Sequence, residues 1–208
     1  MLTVVDTQAG NFGSILNALS KKLGASVEVT RDKDAIARAK ALVLPGVASF
    51  KRGMAGLTGA GLVEIVRKQA AVNKIPTIGI CLGMQLLADT STEGGSELAG
   101  LGLIPGKVVR LSSTDASYRV PNIGWYDVAA KKNSVLFPDD YTPESFYHVH
   151  SYHMQCANLK DVAASIEFSG QDITVAVQKD NICGVQFHPE KSQDAGLDLL
   201  ERFLKSVK

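Results

Sequence analysis

Residues 75–88 read Ile75-Pro76-Thr77-Ile78-Gly79-Ile80-Cys81-Leu82-Gly83-Met84-Gln85-Leu86-Leu87-Ala88. An apolar strand over 75–80, broken only by its early Pro76, leads into a glycine-flanked cysteine. A run of good helix formers follows. This is the strand–turn–helix pattern of a nucleophile elbow, with cysteine in the serine position. Such a turn is tight, so glycine is needed on either side of the nucleophile. The sulfur is then presented at the end of a sheet and at a helix N-terminus, where the helix dipole favours an anion. The backbone N–H of Leu82 would point to where an oxyanion forms. The same residues equally suit a buried cysteine in a tight turn, and the pattern alone leaves both readings open.

Working outward, strand-like and helix-like segments alternate through the first half. Residues 2–6 form a short β-branched run. Residues 11–23 place Phe12, Ile15, Leu16, Leu19 and Leu23 at helical spacing, with Gly24 as a stop. Residues 26–30 read as a strand, 32–40 as a short helix and 41–44 as a third apolar strand entering Pro45-Gly46. Residues 61–72 again have helical spacing. This alternation predicts a mostly parallel sheet flanked by helices, an α/β fold of the flavodoxin-like kind. In the second half, segments near 107–111, 125–128, 146–149, 162–168, 173–178 and 182–187 look strand-like and are joined by short polar turns. They predict antiparallel additions to the same sheet. An amphipathic helix over about 192–206 closes the chain, with Ser192 as its N-cap. With no repeat or low-complexity tract, residues 1–208 are expected to form a single domain.

Composition excludes several classes. The 208 residues are 45% hydrophobic and 21% charged, which is ordinary for a globular chain and excludes a disordered one. Lys and Arg total 22 against 21 Asp and Glu. A net charge of +1 gives no bulk attraction for nucleic acid or an anionic membrane. No apolar run approaches the ~20 residues that span a bilayer. The N-terminal residues lack the pattern of a signal peptide. Three cysteines without metal-type spacing argue against a disulfide framework and for a cytoplasmic location.

A second signal is Gly184-Val185-Gln186-Phe187-His188-Pro189-Glu190-Lys191-Ser192. In an extended segment residues two apart face one side, so Glu190 can reach the ring of His188 and orient it. That is the base-plus-orienter half of a triad; it is also what a turn histidine beside an acid looks like. Taken together, the elbow cysteine and the strand-end His-x-Glu argue for a Cys81–His188–Glu190 triad performing acyl transfer. A third signal, Leu44-Pro45-Gly46-Val47-Ala48-Ser49-Phe50, ends a strand in a Pro-Gly loop. It can turn a second backbone N–H toward the nucleophile, or be an ordinary loop. His148 and His150 would share one strand face, but no carboxylate or cysteine at ligand spacing completes a metal site, and none is expected.

With those residues in hand, the chain resembles the class I, triad-type glutamine amidotransferases over nearly its whole length. Within that class it is similar to the glutaminase subunits of imidazole glycerol phosphate synthase. The landmarks stand in order: Ala9-Gly10-Asn11, LPGVASF at 44–50, GICLGMQLL at 79–87, VPNIGW at 120–125, His150-Ser151-Tyr152, and GVQFHPEKS at 184–192. The resemblance implies that Cys81 attacks the side-chain amide of L-glutamine, releasing ammonia and leaving a glutamyl thioester. His188 would shuttle the proton, Glu190 would orient it, and water would give glutamate. It implies that Gln85, Glu93, Ser151 and Tyr152 bind substrate and that Gly46, Val47 and Leu82 form the oxyanion region. Asn11, Asn122, Trp125 and Lys191 would face a (β/α)8-barrel synthase subunit in a heterodimer. Ammonia would pass through that barrel to make imidazole glycerol phosphate and AICAR in histidine biosynthesis. No cofactor is implied.

There are departures. The family's Asp-Tyr-Gly-x-Gly-Asn is here Asp6-Thr7-Gln8-Ala9-Gly10-Asn11, and its His-Met-Gly-Trp-Asn is Asn122-Ile123-Gly124-Trp125-Tyr126. These lie toward the partner side, outside the triad. Gly13-Ser14-Ile15-Leu16-Asn17, the HSYH run at 150–153 and Gln178-Lys179-Asp180-Asn181-Ile182 resemble a second branch. Its members supply ammonia for converting an acetamido sugar to an acetamidino sugar in surface-polysaccharide biosynthesis. A peptidase- or deglycase-type elbow hydrolase would leave the His-Pro-Glu ending and Gln85 without a role. A non-catalytic binding module would need no triad.

Overall fold

The computed structural model describes residues 1–10, 12–113, 115 and 117–207. Asn11, expected at a partner face, lies outside the described residues. In chain order the elements begin with β1 (Leu2–Val5), α1 (Gly13–Leu16), β2 (Val27–Thr30), α2 (Lys33–Ala37), β3 (Ala41–Gly46) and α3 (Phe50–Gly59). Then come α4 (Val63–Arg67), β4 (Thr77–Cys81), α5 (Leu82–Leu86), β5 (Thr90–Ser91), β6 (Leu98–Ala99), β7 (Gly106–Arg110) and β8 (Asn122–Ala130). The chain ends with β9 (Glu144–His150), β10 (Tyr152–Cys156), β11 (Val162–Phe168), β12 (Gln171–Lys179), β13 (Ile182–Val185) and α6 (Gln193–Lys205).

Nine strands form one sheet in the order β2-β1-β3-β4-β13-β12-β11-β8-β9. The first five are parallel and the rest antiparallel. Strands β1, β3, β4 and β13 are buried along their whole length, which is why they read as continuous apolar runs rather than as alternation. Alternate residues feed opposite faces: Ala41 and Val43 join one core cluster, Leu42 and Leu44 the other. The first cluster packs Ile15 of α1 and Leu199, Leu200 and Phe203 of α6; the second packs Phe50 and Leu57 of α3 and Val66 of α4. Among the described residues no helix is long and apolar enough to cross a membrane.

Three expectations are refined. The expected helices over 11–23 and 61–72 each form only one α-helical turn. They then widen into π-helical turns at Asn17–Lys22 and Lys68–Val72. Strand β7 does not join the large sheet. It pairs antiparallel with β10 and parallel with β5 in a second sheet of order β10-β7-β5-β6. Ser151, between β9 and β10, is where the chain passes from one sheet to the other. Helix α3 has no counterpart in the sequence reading. Two of its three glycines are useful for packing: a Cβ at Gly56 would lie 1.8 Å from the carbonyl oxygen of Thr7, and one at Gly53 3.1 Å from Leu82 and Leu86 side-chain carbons. The helix can therefore press against both the loop after β1 and α5.

Candidate active site

Parallel strands β3, β4 and β13 end side by side, and their C-terminal ends hold the chemistry. Gly46 is level with Cys81, and Val185 is level with Ile80. The residue after Val185, Gln186, therefore arrives beside Cys81, and His188 follows two residues later.

Cys81 has φ +53° and ψ −110°, a conformation that a non-glycine residue adopts at a cost of about 1–3 kcal/mol. The flanking glycines permit it by close approach. A Cβ on Gly79 would lie 2.5 Å from the Gly83 carbonyl oxygen, and one on Gly83 1.5 Å from that of Leu44. Helix α5 spans only five residues, so few peptide dipoles add up behind the sulfur. The stronger electrostatic neighbour is His188. Its Nδ1 is 2.8 Å from Glu190 Oε1, and its side chain also hydrogen-bonds Cys81. Burial by itself would lower the His188 pKa, but hydrogen bonds and charge from Cys81 and Glu190 outweigh it and push it up to about 9.

Glu190 reaches His188 by a route other than the expected extended segment. Pro189–Lys191 is a 3₁₀ turn, and two contacts pin it. Ser192 Oγ donates to the His188 carbonyl at 2.6 Å and accepts the Tyr147 N–H at 3.0 Å. Ser192 stands at the start of α6 without a side-chain cap bond, because its hydroxyl is committed to the turn.

A cleft of about 390 Å³ opens over Cys81, within the usual range for small-molecule sites. Its walls include His188, Leu82, Val47, Gln85, Glu93, Ser151, Tyr152 and Lys191. Gly46 does not reach this cleft; with His188 and Glu190 it lines a much smaller cavity behind it. The Glu93 carboxylate accepts the N–H of Phe50 and so ties the cleft to the start of α3. The Val47 N–H donates to the Ala9 carbonyl at 2.7 Å, so in this conformation it is not available to an oxyanion. Of the residues expected at a partner face, Trp125 is 48% exposed and Lys191 is exposed, with its Nζ 6.0 Å from the Tyr147 ring centre. Asn122 is buried instead, its amide 3.3 Å from His150 Nε2.

Residues to which the sequence assigns no catalytic or substrate role also shape the site. His150 lines the cleft and donates through Nδ1 to the Tyr152 carbonyl at 2.9 Å. Burial, with the nearby charges of His153 and His188, brings it down to about 4, so it is neutral at pH 7. Its neighbour His148 is 3.3 Å away and is also held well below the usual imidazole range, again chiefly by burial. Among the described residues no group of three or more His, Cys, Asp or Glu is placed to hold a metal ion. Gln186 is fully buried between Gln85 and Cys81. The one available signal was a polar residue inside an apolar strand end.

The fold and this geometry can be set against known proteins. Residues 3–207 match the family model described as glutamine amidotransferase class-I. A protein of Methanococcus maripaludis named imidazole glycerol phosphate synthase subunit HisH 2 is 40% identical over 207 residues, covering all of both chains. One of Moorella thermoacetica, named imidazole glycerol phosphate synthase subunit HisH, is 41% identical over all of this chain and 95% of its own. Among solved structures, a glutamine amidotransferase superposes with a TM-score of 0.73 at 20% identity, over 97% of this chain and 98% of that one. A structure of PurLQS from Thermotoga maritima gives 0.73 at 18% identity, over 100% and 98%. At those identities the two structures speak for the fold alone. The family match and the relatives near 40% identity go further: this chain is a member of the class-I glutamine amidotransferases.

Proposed function

We propose that this chain is a glutaminase subunit of the imidazole glycerol phosphate synthase type, acting on L-glutamine through Cys81, His188 and Glu190. The observation that carries the reading is geometric: His188, with its Nδ1 2.8 Å from Glu190 Oε1, lines the same cleft as Cys81. Cys81 Sγ attacks the carboxamide carbon of glutamine. With Nδ1 engaged by Glu190, the other nitrogen of His188 is left to give its proton to the departing nitrogen. Ammonia leaves, a glutamyl thioester remains, and water activated by the now neutral His188 releases glutamate. Gln85, Glu93, Ser151 and Tyr152 supply the polar groups that orient the amino-acid end. Leu82 N–H is the standing oxyanion donor, and Val47 N–H becomes the second once it is released from Ala9.

The relatives' names place them as subunits of a larger enzyme. We extend that to this chain: a single cytoplasmic amidotransferase domain that passes ammonia to a (β/α)8-barrel synthase partner, which makes imidazole glycerol phosphate and AICAR. Lys191, which lines the cleft, and exposed Trp125, joined to it through the Tyr147 ring, support a docking face there. The test is glutamine hydrolysis with a histidine-pathway cyclase barrel, with and without the cyclase's nucleotide substrate. Stimulation that needs both supports the assignment. No stimulation, with Cys81 still labelled by a glutamine-analogue electrophile in a glutamine-protected manner, would move the chain to the acetamidino-sugar branch. The resemblance of Gly13-Ser14-Ile15-Leu16-Asn17, of the run at 150–153 and of Gln178-Lys179-Asp180-Asn181-Ile182 to that branch makes it the second reading.

A further inference from the structure

Gln186 carries no assignment so far, yet it is fully buried at the heart of the site. A buried primary amide is tolerated only when its donors and acceptor are used. Its orientation follows from one fixed point. The carbonyl oxygen of Tyr152 can only accept, and it lies 3.3 Å from the Gln85 amide nitrogen. That fixes which end of Gln85 is nitrogen. The same nitrogen is 3.1 Å from Gln186, which must therefore present its oxygen. The other end of Gln186 is then an NH2 group, and it lies 3.7 Å from Cys81 Sγ. Register makes this arrangement possible, because Val185 is level with Ile80 in the parallel pair β13–β4.

We propose that Gln186 is a positioning residue for the nucleophile. Its Nε2 donates to Cys81 Sγ, and its Oε1 holds the Gln85 amide so that Gln85 offers the cleft an oxygen rather than an N–H. The first half stabilises sulfur as an anion, because a donor aimed at a charge is stronger than one aimed at a neutral atom. The second half sets a preference: with both Gln85 N–H groups committed, the free Oε1 selects a substrate group that donates, such as an ammonium.

The second half rests on the glutaminase reading of the cleft; the first does not. Two variants separate them. Gln186→Glu keeps an acceptor toward Gln85 and, once ionised, has no donor for Cys81. Gln186→Met has neither. The primary measurement is the pH–rate profile of Cys81 alkylation by iodoacetamide, which requires no recognition of glutamine. Both variants, checked as folded by circular dichroism, are expected to move the midpoint upward by about one unit, a tenfold loss in rate below it. In glutamine hydrolysis kcat falls in both, while KM rises only in Gln186→Met. A wild-type alkylation profile in either folded variant overturns the link to Cys81, so failure of one variant to fold leaves the test intact. An unchanged KM in Gln186→Met, or a raised KM in Gln186→Glu, overturns the link to Gln85. A wild-type chain that hydrolyses no glutamine while the alkylation shift persists would sink the glutaminase reading and leave the link to Cys81 standing.

Discussion

Val47 gives its backbone N–H to the carbonyl of Ala9 at 2.7 Å, tying the loop after β3 to the loop after β1. The cleft is assembled in every other respect, with Leu82 opening α5 beside Cys81. On the proposed reading, one oxyanion donor is thus held in reserve. Loss of a single such donor costs about 10²–10³ in rate. The isolated chain is expected to hydrolyse glutamine slower than the activated complex by at least that factor. Amide hydrogen exchange checks the cause: Val47 should be protected in the free chain and exchange faster in the stimulated complex. Persistent protection of Val47 at full activity would remove it as a donor.

His188 is the titrating group to follow. With its pKa raised to about 9 by Cys81 and Glu190, it is expected to remain protonated across neutral pH. In an NMR titration of the imidazole, Cys81→Ala and Glu190→Gln should each lower that midpoint. The sign for stability follows from linkage. The unfolded value is near 6.5, so the stabilisation is fully present below that pH and is lost as pH rises through about 9. Glu190→Gln should lower kcat by about 10²–10⁴ while KM changes little. A midpoint unmoved by either substitution would mean that the pair does not hold the charge.

The parts that were readable in the residues are those set by local rules. The elbow is legible because Gly79 and Gly83 sit where any Cβ would strike backbone. The parallel half is legible because strands buried on both faces must be apolar throughout. Helix α3 escapes because Phe50–Gly59 contains three glycines, which are poor helix formers; its reason for being is contact with Thr7 and α5. The second sheet escapes because pairing Tyr152 with Arg110 is decided by distant partners, which no window of sequence contains. Gln186 stood inside a motif whose histidine and glutamate drew attention, and its contacts come from register with Cys81, 105 positions away.

Three histidines with lowered pKa values make the fold acid-sensitive. His150 and His153 are both brought down to about 4, first by burial, and His148 is likewise held well below its usual value. Each must be neutral in the folded chain but protonates below about 6.5 when unfolded. Stability is therefore intact above 6.5 and falls as pH drops toward 4, by roughly 3 kcal/mol for a histidine displaced this far. His153 tests this cleanly, since it lies on β10, does not line the cleft and has a buried Nδ1 without a partner among the described residues. His153→Phe should leave the neutral-pH melting temperature within a few degrees and shift the acid-unfolding midpoint downward. An unchanged acid limb, followed by circular dichroism, would acquit this histidine.

Lys191 bears on the partner. It is exposed, follows Glu190 directly and rests near the Tyr147 ring, which in turn meets Trp125 at 5.9 Å between ring centres. An exposed cation–π contact contributes only about 0.5–1 kcal/mol. Lys191→Ala should therefore leave the fold intact and the unstimulated rate near wild type. Stimulation by the synthase subunit should drop several-fold if the ammonium meets an acidic group across the interface. Unchanged stimulation removes Lys191 from the docking face.

Gly196 packs against the turn that carries His188 and Glu190. This glycine is in α6, and a Cβ there would lie 1.8 Å from the carbonyl oxygen of Pro189. Pro189 is the residue between His188 and Glu190, so helix and turn are in backbone contact at the one place where the triad geometry is set. Gly196→Ala must push one away from the other. Ser192 still holds the His188 carbonyl, so the displacement falls on the Pro189–Glu190 side and lengthens the 2.8 Å contact. Overpacking of this kind costs about 1–3 kcal/mol, a loss the fold can survive. We expect kcat to fall at least tenfold with KM nearly unchanged, and the His188 midpoint to fall in the same variant. The paired readout matters, because general destabilisation would reduce the active fraction without moving the titration of His188. Full activity with an unshifted His188 would show that the turn keeps its geometry without α6 pressed against it.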